Sequence, residues 1–306
     1  MPHDDLCVIA CYYDPLGNDW QLKNFLIFQE ELRRSQIPLF VAELIFGDGS
    51  SRLDGKVENL YAVHTASLLW QKERLLNRIA SLLPEKYTKV AWCDVDLLFG
   101  ESARTWAEAT SRALEDTPVV QCFSHCRRLA KPGSEPAIED IVSGFAARLG
   151  ITGGPSPAVY AEHGHTGYAW AARRDLLREC GLYDACLSGS GDHLMAHAFA
   201  GELDSGCFNK VFRDNKDYRD HFLFWAERAA LATAGRIGWV DCEISHLWHG
   251  DPEKRQYRRR DIQLTEQAFN PGRDLRLGSM GTWEWTARGA RLAGWAYKSF
   301  EARREA

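Results

Sequence analysis

Apolar and polar positions along the first third of the chain follow two different periods. Leu6–Tyr12 (LCVIACY) is a short apolar run that stops at the sequence DPLG, as expected for a buried strand that enters a turn. Residues 19–35 carry apolar side chains at helical spacing, and Leu39–Phe46 (LFVAELIF) is a second apolar run after Pro38. The pattern predicts a strand, a helix and a strand, which together form one βαβ unit.

The alternation continues to about residue 100. We predict a strand at 57–63, a helix at 66–83 with one apolar face, and a strand at 89–93 that runs directly into Asp94-Val95-Asp96. Strands that alternate with helices through short connections form a largely parallel sheet with helices on both faces. The predicted fold class is therefore α/β, with a mostly parallel central sheet flanked by helices.

The pattern changes after residue 126. Two segments rich in glycine and proline, at 131–134 and 153–157, bracket a weakly apolar helical stretch. A long segment of this kind inside a compact domain is typical of an insertion or of a functional loop. We therefore predict that residues 127–162 form an insertion or a mobile loop.

Regular structure is predicted to resume in the second half of the chain. Helices are expected near 175–180 and from residue 192 onwards, and a strand is expected at 239–244. A chain of 306 residues can form one α/β domain with insertions. The expected organisation is a single main domain at residues 1–270 with a C-terminal helical extension at 271–306.

Composition and charge exclude several classes of protein. Hydrophobic residues make up 45% of the chain and the net charge is -5, so the sequence is that of a globular protein without the basic footprint of a nucleic-acid-binding protein. No apolar run is long enough to cross a bilayer and the first residues lack a signal-peptide pattern, so we expect a cytoplasmic protein. The nine cysteines form no CxxC pair, which favours buried free thiols.

The C-terminal segment combines aromatic and basic residues. Residues 283–300 include Trp285 and Trp295 together with arginine and lysine side chains. This mixture suits the surface of a membrane. Packing of these aromatic residues on the domain is the default expectation. Association with a membrane is the lesser alternative.

Candidate functional residues follow the predicted strands. In open α/β sheets, ligands bind at the carboxyl ends of the strands. This rule selects Tyr13 and Asp14 after the first strand, and Asp94 and Asp96 after the fourth. Where a strand breaks into a turn, two carboxylates in an Asp-x-Asp sequence can approach one Mg²⁺ or Mn²⁺ ion. Such pairs also occur on solvated loops, which is the alternative interpretation.

Basic residues near the same edge are candidates for anion binding. Lys72 and Arg74 lie in the early turns of the predicted 66–83 helix, with Asn77 one turn later, and could contact a diphosphate or a nucleobase. Arg255 and Tyr257 belong to a basic run that could close over a pyrophosphate. For both groups the alternative is a solvated helix face.

Histidines occur as three close pairs, which are His163 and His165, His193 and His197, and His246 and His249. The last pair follows a predicted strand, and side chains three residues apart on a helical turn share a face, so both can point at one ion. The spacing of His193 and His197 also suits shared ligation. Their apolar neighbours Met195 and Phe199 favour ordinary packing instead.

Asp192 follows the flexible sequence Gly189-Ser190-Gly191. In a cleft, its carboxylate could accept a proton from a substrate hydroxyl and so act as a general base. Asp is also favoured as the N-cap residue of a helix, which is the structural alternative. The two roles are compatible with each other.

The ordered set of motifs CYYD, LWQKERLLN, WCDVDLLF, GYAWAARRDLL, GSGD and HLWHG resembles GT-A glycosyltransferases, in particular the galactosyltransferase-type branch. The resemblance covers about residues 6–100 and 165–257, and it implies a GT-A-like (Rossmann-like) fold. It also implies that Asp96, His246 and His249 hold a divalent cation, with Asp94 supporting the cation or the donor ribose. Gly191 stands where that branch has a Glu residue.

The implied activity is transfer of a sugar from a nucleotide diphosphate sugar, expected to be a UDP-sugar, to the hydroxyl of a carbohydrate or glycoconjugate acceptor. Asp192 would deprotonate the acceptor for inverting displacement. Mn²⁺ is favoured as the cofactor and Mg²⁺ is possible. Two alternatives remain. One is a metal-dependent hydrolase built on His163, His165, Asp94 and Asp96, and the other is a non-catalytic carbohydrate-binding protein in which Asp192 only caps a helix.

Overall fold

The computed structural model describes residues 4–250 and 257–304. The strands are β1 (Leu6–Tyr12), β2 (Leu39–Phe46), β3 (Asn59–Thr65), β4 (Lys89–Cys93), β5 (Leu97–Phe99), β6 (Val119–Gln121), β7 (His125–Leu129), β8 (Ile138–Ser143), β9 (Ala169–Arg173), β10 (Ile237–Trp239), β11 (Glu243–His246), β12 (Leu275–Leu277) and β13 (Trp283–Trp285). The helices are α1 (Asp19–Arg34), α2 (Lys72–Leu82), α3 (Ala103–Asp116), α4 (Phe145–Thr152), α5 (Tyr160–His163), α6 (Arg174–Glu179), α7 (Gly191–Phe199), α8 (Phe208–Phe212), α9 (Lys216–Thr233), α10 (Tyr257–Glu266), α11 (Pro271–Asp274) and α12 (Ala293–Arg304).

Seven strands form the central sheet, in the order β10-β6-β9-β4-β1-β2-β3. Strand β9 runs antiparallel to both of its neighbours, β4 and β6, while every other pair in this sheet is parallel. Helices flank the sheet. The prediction of an α/β fold with a mostly parallel central sheet is therefore confirmed.

Strand β1 shows why the sheet is buried on both faces. Successive side chains of a strand point to opposite faces. Cys7 and Ile9 therefore join the core cluster that contains helix α2, while Leu6 and Val8 join the cluster that contains helix α1. All four side chains are fully buried, which accounts for the uninterrupted apolar run in the sequence.

Helix α2 begins at Lys72, six residues later than the sequence pattern predicts. The preceding residues bond to the C-terminal hairpin of β12 and β13. Trp283 donates its backbone N–H to the side-chain oxygen of Gln71 at 2.7 Å, and Trp285 donates to the hydroxyl oxygen of Ser67 at 3.2 Å. These long-range bonds hold residues 66–71 in an irregular conformation and place the start of α2 next to the end of β4.

Residues 127–162 are not a simple loop. Strands β7 and β8 form an antiparallel hairpin whose connection contains the predicted turn at 131–134, and helices α4 and α5 follow it. Strands β7 and β8 form a second sheet together with β5 and β11, in the order β5-β11-β7-β8. The strand predicted at 239–244 is two strands, because the chain leaves the central sheet after β10 and enters the second sheet at β11.

The C-terminal extension contains more than helices. Residues 271–306 begin with α11 and the two-stranded β12–β13 sheet, followed by a 3₁₀ turn at Gly289–Leu292 and by α12. Trp295 and Phe300 are buried against the domain, as the default expectation has it, whereas Tyr297 is 48% exposed. Within the described ranges every helix is too short or too polar to span a bilayer. All nine cysteines are free thiols, as predicted, and six of them are buried, whereas Cys11, Cys180 and Cys242 are half-buried.

Candidate functional site

The pairing of two short strands brings distant parts of the chain together at the end of β4. Strand β5 begins directly after Asp96 and runs antiparallel to β11, with Leu97 opposite His246. One residue further, Leu247 donates its backbone N–H to the carbonyl oxygen of Asp96 at 2.8 Å. The register of these strands therefore places the side chain of Asp96 beside the HLWH segment.

The side chains of Asp96, His246 and His249 converge in this place. Oδ2 of Asp96 lies 3.2 Å from Nε2 of His249 and 3.6 Å from Nε2 of His246. The two Nε2 atoms are 3.0 Å apart, and all three side chains are between 14% and 23% exposed. One carboxylate and two imidazoles that face one another are a donor set that suits a divalent transition-metal ion. Binding of a metal by these three residues stays a prediction.

Asp94 lies outside this group of three. Its Oδ1 atom accepts a bond from Nζ of Lys72 at 2.7 Å, and its backbone N–H donates to the carbonyl oxygen of Tyr168. The two carboxylates of the Asp-Val-Asp sequence therefore point to different partners. Of the four predicted metal ligands, the structure assembles three and directs Asp94 towards Lys72.

Lys72 forms the centre of an acidic cluster. Its Nζ atom also lies 3.2 Å from Oδ2 of Asp192, and the lysine side chain is only 13% exposed. Burial acts to lower the pKa of Lys72, but Asp192, Asp94 and Glu73 outweigh burial and raise the pKa well above its usual value. Lys72 is therefore a protonated cation that links the two carboxylates of Asp94 and Asp192.

Glu73 is a member of this cluster that the sequence analysis did not select. It is 2% exposed, and burial raises its pKa to about 8, with Lys72 acting in the opposite direction. A Cβ atom on Gly191 would lie 2.9 Å from its Oε1 atom, so the backbone of helix α7 closes over this carboxyl group. The helical spacing could have predicted the burial of Glu73, because Glu73 lies three residues before the buried Leu76 and so shares its face of the helix.

Arg74 has partners away from the acidic cluster. Its Nε atom donates to the carbonyl oxygen of Gly281 at 2.7 Å, and its Nη1 atom lies 3.1 Å from Oδ2 of Asp184. Residues two positions apart on a helix lie on nearly opposite faces, so Lys72 and Arg74 cannot both point at the end of β4. These contacts favour a structural role for Arg74, in which it holds the β12–β13 hairpin on the domain.

Asn77 also bonds within the fold. Its Nδ2 atom donates to the carbonyl oxygen of Leu182 at 2.8 Å, and the N–H of Leu182 donates back to its Oδ1 atom at 2.8 Å. This reciprocal pair occupies both ends of the amide side chain. Asn77 therefore holds the loop before α7, and it does not reach Lys72.

Asp14 is engaged by the turn that follows β1. Both carboxylate oxygens accept the backbone N–H of Asn18 at 2.8 Å, and Oδ2 also accepts the hydroxyl of Tyr12 at 3.3 Å. The guanidinium group of Arg52 forms an ion pair with the same carboxylate, whose side chain is 4% exposed. These contacts indicate that Asp14 stabilises the loop before α1.

Tyr13 is covered by the C-terminal helix. Its ring packs edge-on against Phe300 of α12, with 5.1 Å between the ring centroids, and only 6% of the residue is exposed. Its carbonyl oxygen accepts a hydrogen bond from the side chain of Gln21. Tyr13 therefore lies beneath α12, and its predicted contact with a nucleotide stays a prediction.

Asp192 lies in the first turn of α7, which begins at Gly191. Ser190 is the N-cap residue, and no side chain caps this helix. The hydroxyl of Ser190 donates instead to Oδ2 of Asp261 at 2.9 Å. The interpretation of Asp192 as a helix cap is therefore wrong, since its carboxylate turns to Lys72 and a Cβ on Gly167 would lie 3.3 Å from its Oδ2 atom.

Tyr168 joins the cluster of Asp192 to the group of Asp96. It adopts a φ of 78°, which is unusual for a residue with a side chain and marks local strain. Its ring stacks on His165 at a centroid distance of 3.8 Å and lies 4.9 Å from the ring of His246. Burial, followed by the neighbouring His246, lowers the pKa of His165 to about 3. This imidazole is therefore neutral.

The pair His163 and His165 does not act together. His163 contacts the rings of His193 and His197, at centroid distances of 5.1 and 5.2 Å, whereas His165 stacks on Tyr168. The hydrolase set of His163, His165, Asp94 and Asp96 is thus not assembled within the part of the chain that the structure describes.

Two predicted donor-binding residues cannot be placed. Arg255 lies outside the described residues. Tyr257 is described only as the first residue of helix α10. Their predicted contact with a pyrophosphate therefore stays a prediction.

Comparison with known proteins gives distant likenesses only. No family model and no curated protein matches the sequence. The catalytic domain of Drosophila beta1,4galactosyltransferase 7, solved with xylobiose, is 12% identical with a TM-score of 0.34, covering 62% of this chain and 58% of that chain. This chain therefore spans less than two thirds of that domain's length.

Two bacterial structures are similar over more of the chain. Glucosyl-3-phosphoglycerate synthase from Mycobacterium tuberculosis, in complex with Mg²⁺ and uridine diphosphate, is 13% identical with a TM-score of 0.39, over 87% of this chain and 78% of that one. Mannosyl-3-phosphoglycerate synthase from Rubrobacter xylanophilus is 13% identical with a TM-score of 0.40, over 85% and 73%. Identities and scores at this level identify neither a family nor a function.

Proposed function

We propose that this chain is a metal-dependent glycosyltransferase that transfers a sugar from a nucleotide diphosphate sugar to an acceptor hydroxyl. The observation that supports this proposal is the arrangement at the end of β4. A group of one carboxylate and two imidazoles adjoins a second group in which Lys72 links the carboxylates of Asp94 and Asp192. The site thus offers cation ligands, a fixed positive charge and a candidate base within one region.

Asp96, His246 and His249 would hold the divalent cation. The fit rests on their ligand atoms, which all lie within 4.8 Å of one another. Two imidazole ligands favour Mn²⁺ over Mg²⁺, because Mg²⁺ prefers oxygen ligands and retains its waters. When bound, such a cation neutralises charge on the leaving diphosphate.

Lys72 and Asp94 would position the donor. The protonated Lys72 supplies a second positive charge beside the group of Asp96. The side chain of Asp94 is 30% exposed, so its carboxylate can accept a hydrogen bond from a hydroxyl group such as that of a ribose. A UDP-sugar is the donor that we propose on the basis of the sequence motifs.

Asp192 would act as the general base. Its carboxylate is 19% exposed and lies on the first turn of α7, at the edge of the acidic cluster. The acceptor oxygen forms a bond to the anomeric carbon while the bond from that carbon to the diphosphate oxygen breaks, and the diphosphate leaves with the electron pair. The acceptor proton passes to Asp192. Direct displacement of this kind inverts the anomeric configuration.

Nucleotide binding and turnover test this proposal. A thermal-shift panel of UDP, GDP, CDP and ADP, each with and without Mn²⁺, should show stabilisation by one nucleotide that requires the metal. The selected nucleotide sugar should then yield free nucleoside diphosphate in a coupled assay, with water as the acceptor if no sugar is supplied. Metal-dependent binding without any turnover would instead support a binding protein, and absence of nucleotide binding would overturn the proposal.

A further inference from the structure

A second cluster of metal-binding side chains lies away from the site described above. His163, His193, His197 and Cys207 each offer one ligand atom, and these atoms all lie within 4.8 Å of one another. His163, His197 and Cys207 are at most 1% exposed, and His193 is half-buried. One thiol and three imidazoles therefore meet in the interior of the protein.

Three separate elements contribute these residues. His163 ends the short helix α5, His193 and His197 lie four residues apart on α7, and Cys207 directly precedes α8. Positions i and i+4 of a helix share a face, which is why both histidines of α7 point at the same place. The rings of Tyr160 and His163 on α5 both contact the ring of His193, and these contacts join α5 to α7.

The imidazole nitrogens inside the cluster have no hydrogen-bond partners. Nε2 of His163, Nδ1 of His193 and Nε2 of His197 are all buried without one. Buried polar atoms in native proteins are almost always satisfied, so three such atoms that face one point require an explanation. A metal ion shared by the three nitrogens would satisfy all of them at once.

The outward-facing nitrogens are bonded in the way that metal-ligating histidines require. Nδ1 of His163 lies 2.8 Å from the carbonyl oxygen of Gly164, and Nδ1 of His197 lies 2.7 Å from Oε2 of Glu202. Because carbonyl and carboxylate oxygens only accept, each Nδ1 carries the proton and each Nε2 presents a lone pair. A carboxylate behind an imidazole orients the ring and increases its basicity as a ligand.

From this arrangement we propose that His163, His193, His197 and Cys207 bind a structural zinc ion. Four nitrogen and sulphur ligands suit the tetrahedral coordination of Zn²⁺, and four protein ligands leave no open position for a substrate. The ligands exclude Ca²⁺ and Mg²⁺, which take oxygen.

Cys207 is not placed to act as a nucleophile, because it is fully buried. Its Sγ atom lies among the three imidazoles, within 4.8 Å of one ring nitrogen of each. The thiolate is the form of cysteine that ligates zinc. The phenyl rings of Phe145 and Phe208 pack on His197, at centroid distances of 5.0 and 5.9 Å, and shield the cluster from water.

The zinc ion would fasten helix α7 at the end that carries Asp192. His193 is the next residue after Asp192, so the metal and the proposed base share one helical turn. Removal of zinc should therefore loosen α7 and the segment around α5 together. This role does not depend on the proposed glycosyltransferase activity, because it concerns the stability of the fold.

Metal analysis of untagged protein, purified without chelators, tests the proposal. We expect about one zinc ion per chain, as for a closed four-ligand site. Cys207→Ala and His197→Ala should lose this zinc. Cys180→Ser, which changes a half-buried cysteine outside the cluster, and His249→Ala, which changes the other site, should both retain it.

Cobalt substitution of the unmutated protein provides a second measurement that does not depend on the folding of a variant. Co²⁺ in this site should give the visible bands of a tetrahedral complex and a thiolate-to-cobalt band in the near ultraviolet. An octahedral spectrum without the thiolate band would overturn the proposal. So would unmutated protein that binds no zinc when zinc is supplied in excess, or a folded Cys207→Ala variant that retains it.

Discussion

Leu247 donates its backbone N–H to the carbonyl oxygen of Asp96, and this bond joins the two halves of the proposed metal site. The same loop is held from a third side, because Asn24 of α1 donates its amide to the carbonyl oxygen of Trp248 at 3.0 Å. Two hydrogen bonds to backbone groups of this loop, one from Asn24 and one with Asp96, therefore fix the segment that carries His249. Side chains of the site can be removed without removing what positions them.

The first prediction concerns the proposed metal ligands. His249→Ala and Asp96→Ala should each abolish Mn²⁺-dependent nucleotide binding and leave the fold intact, because the backbone bonds around both residues remain. The double variant should be little worse than either single variant, since parts of one site act as a unit. Isothermal titration with nucleotide and Mn²⁺ measures the effect, and His64→Gln, a change of an exposed histidine, is the control. Full Mn²⁺ dependence in His249→Ala would exclude this site.

The second prediction separates Lys72 from Arg74. Lys72→Ala should weaken nucleotide binding by more than about fivefold, which is the most that an exposed ion pair would account for. Arg74→Ala should leave the affinity unchanged, because Arg74 bonds to Gly281 and Asp184. Lys72→Arg keeps the charge and is the control for folding. Equal losses of affinity in the two alanine variants, measured by titration, would contradict our assignment.

The third prediction tests the base. Asp192→Asn should lower turnover of the nucleotide sugar by at least about 10²-fold, because the amide cannot accept the proton. Nucleotide affinity should change little, since Lys72 retains Asp94 as a partner. Asp184→Asn removes a carboxylate that pairs with Arg74 and is the matched control. A variant with normal turnover and normal affinity would place the base elsewhere.

The fourth prediction concerns pH and Glu73 in the metal-free protein. The pKa of the Glu73 carboxyl is about 8 in the folded protein, against its usual value of 4.5. Between these two pH values the folded state therefore holds a proton that the unfolded state has released. The contribution of Glu73 to stability is therefore complete below pH 4.5 and is lost as the pH rises to 8.

Glu73→Gln should abolish the loss of stability between pH 4.5 and pH 8, because glutamine is neutral at every pH. Relative to the unmutated protein, the variant should gain on the order of a few kcal/mol above pH 8, by linkage of about 1.4 kcal/mol for each pKa unit. Denaturant unfolding at pH 4.5 and above pH 8 measures the difference. A stability difference that is the same at both pH values would show that Glu73 titrates normally.

Strands β1, β2 and β4 have the bounds that the apolar pattern predicts. Most side chains of these three strands are buried on both faces of the sheet, so the strands are largely apolar in sequence, with Glu43 the polar exception inside β2. Helix α2 begins later than predicted, because Ser67 and Gln71 bond to a hairpin near the other end of the chain. Local periodicity contains no information about such a partner.

In the candidate sites, too, some residues could be predicted from local sequence and others could not. Strand ends and the HLWH motif indicated Asp96, His246 and His249, and the structure brings these residues together. Arg74 and Asn77 were selected because their predicted helix begins at the ligand-binding edge of the sheet, but the angle between helix positions directs them to Gly281 and Leu182 instead. Cys207 was missed, because a single cysteine without a motif gives no indication that three histidines from two other helices surround it.

The pairing of β5 with β11 also determines when the site can form during synthesis. About two thirds of the chain, including both histidines, follows Asp96 and is made after it. Among the described strands β5 pairs only with β11, so the proposed metal site is among the last features to be completed and contributes a high contact order. Lys72 precedes Asp94 in the chain, so the ion pair between these two residues can form before β11 is made.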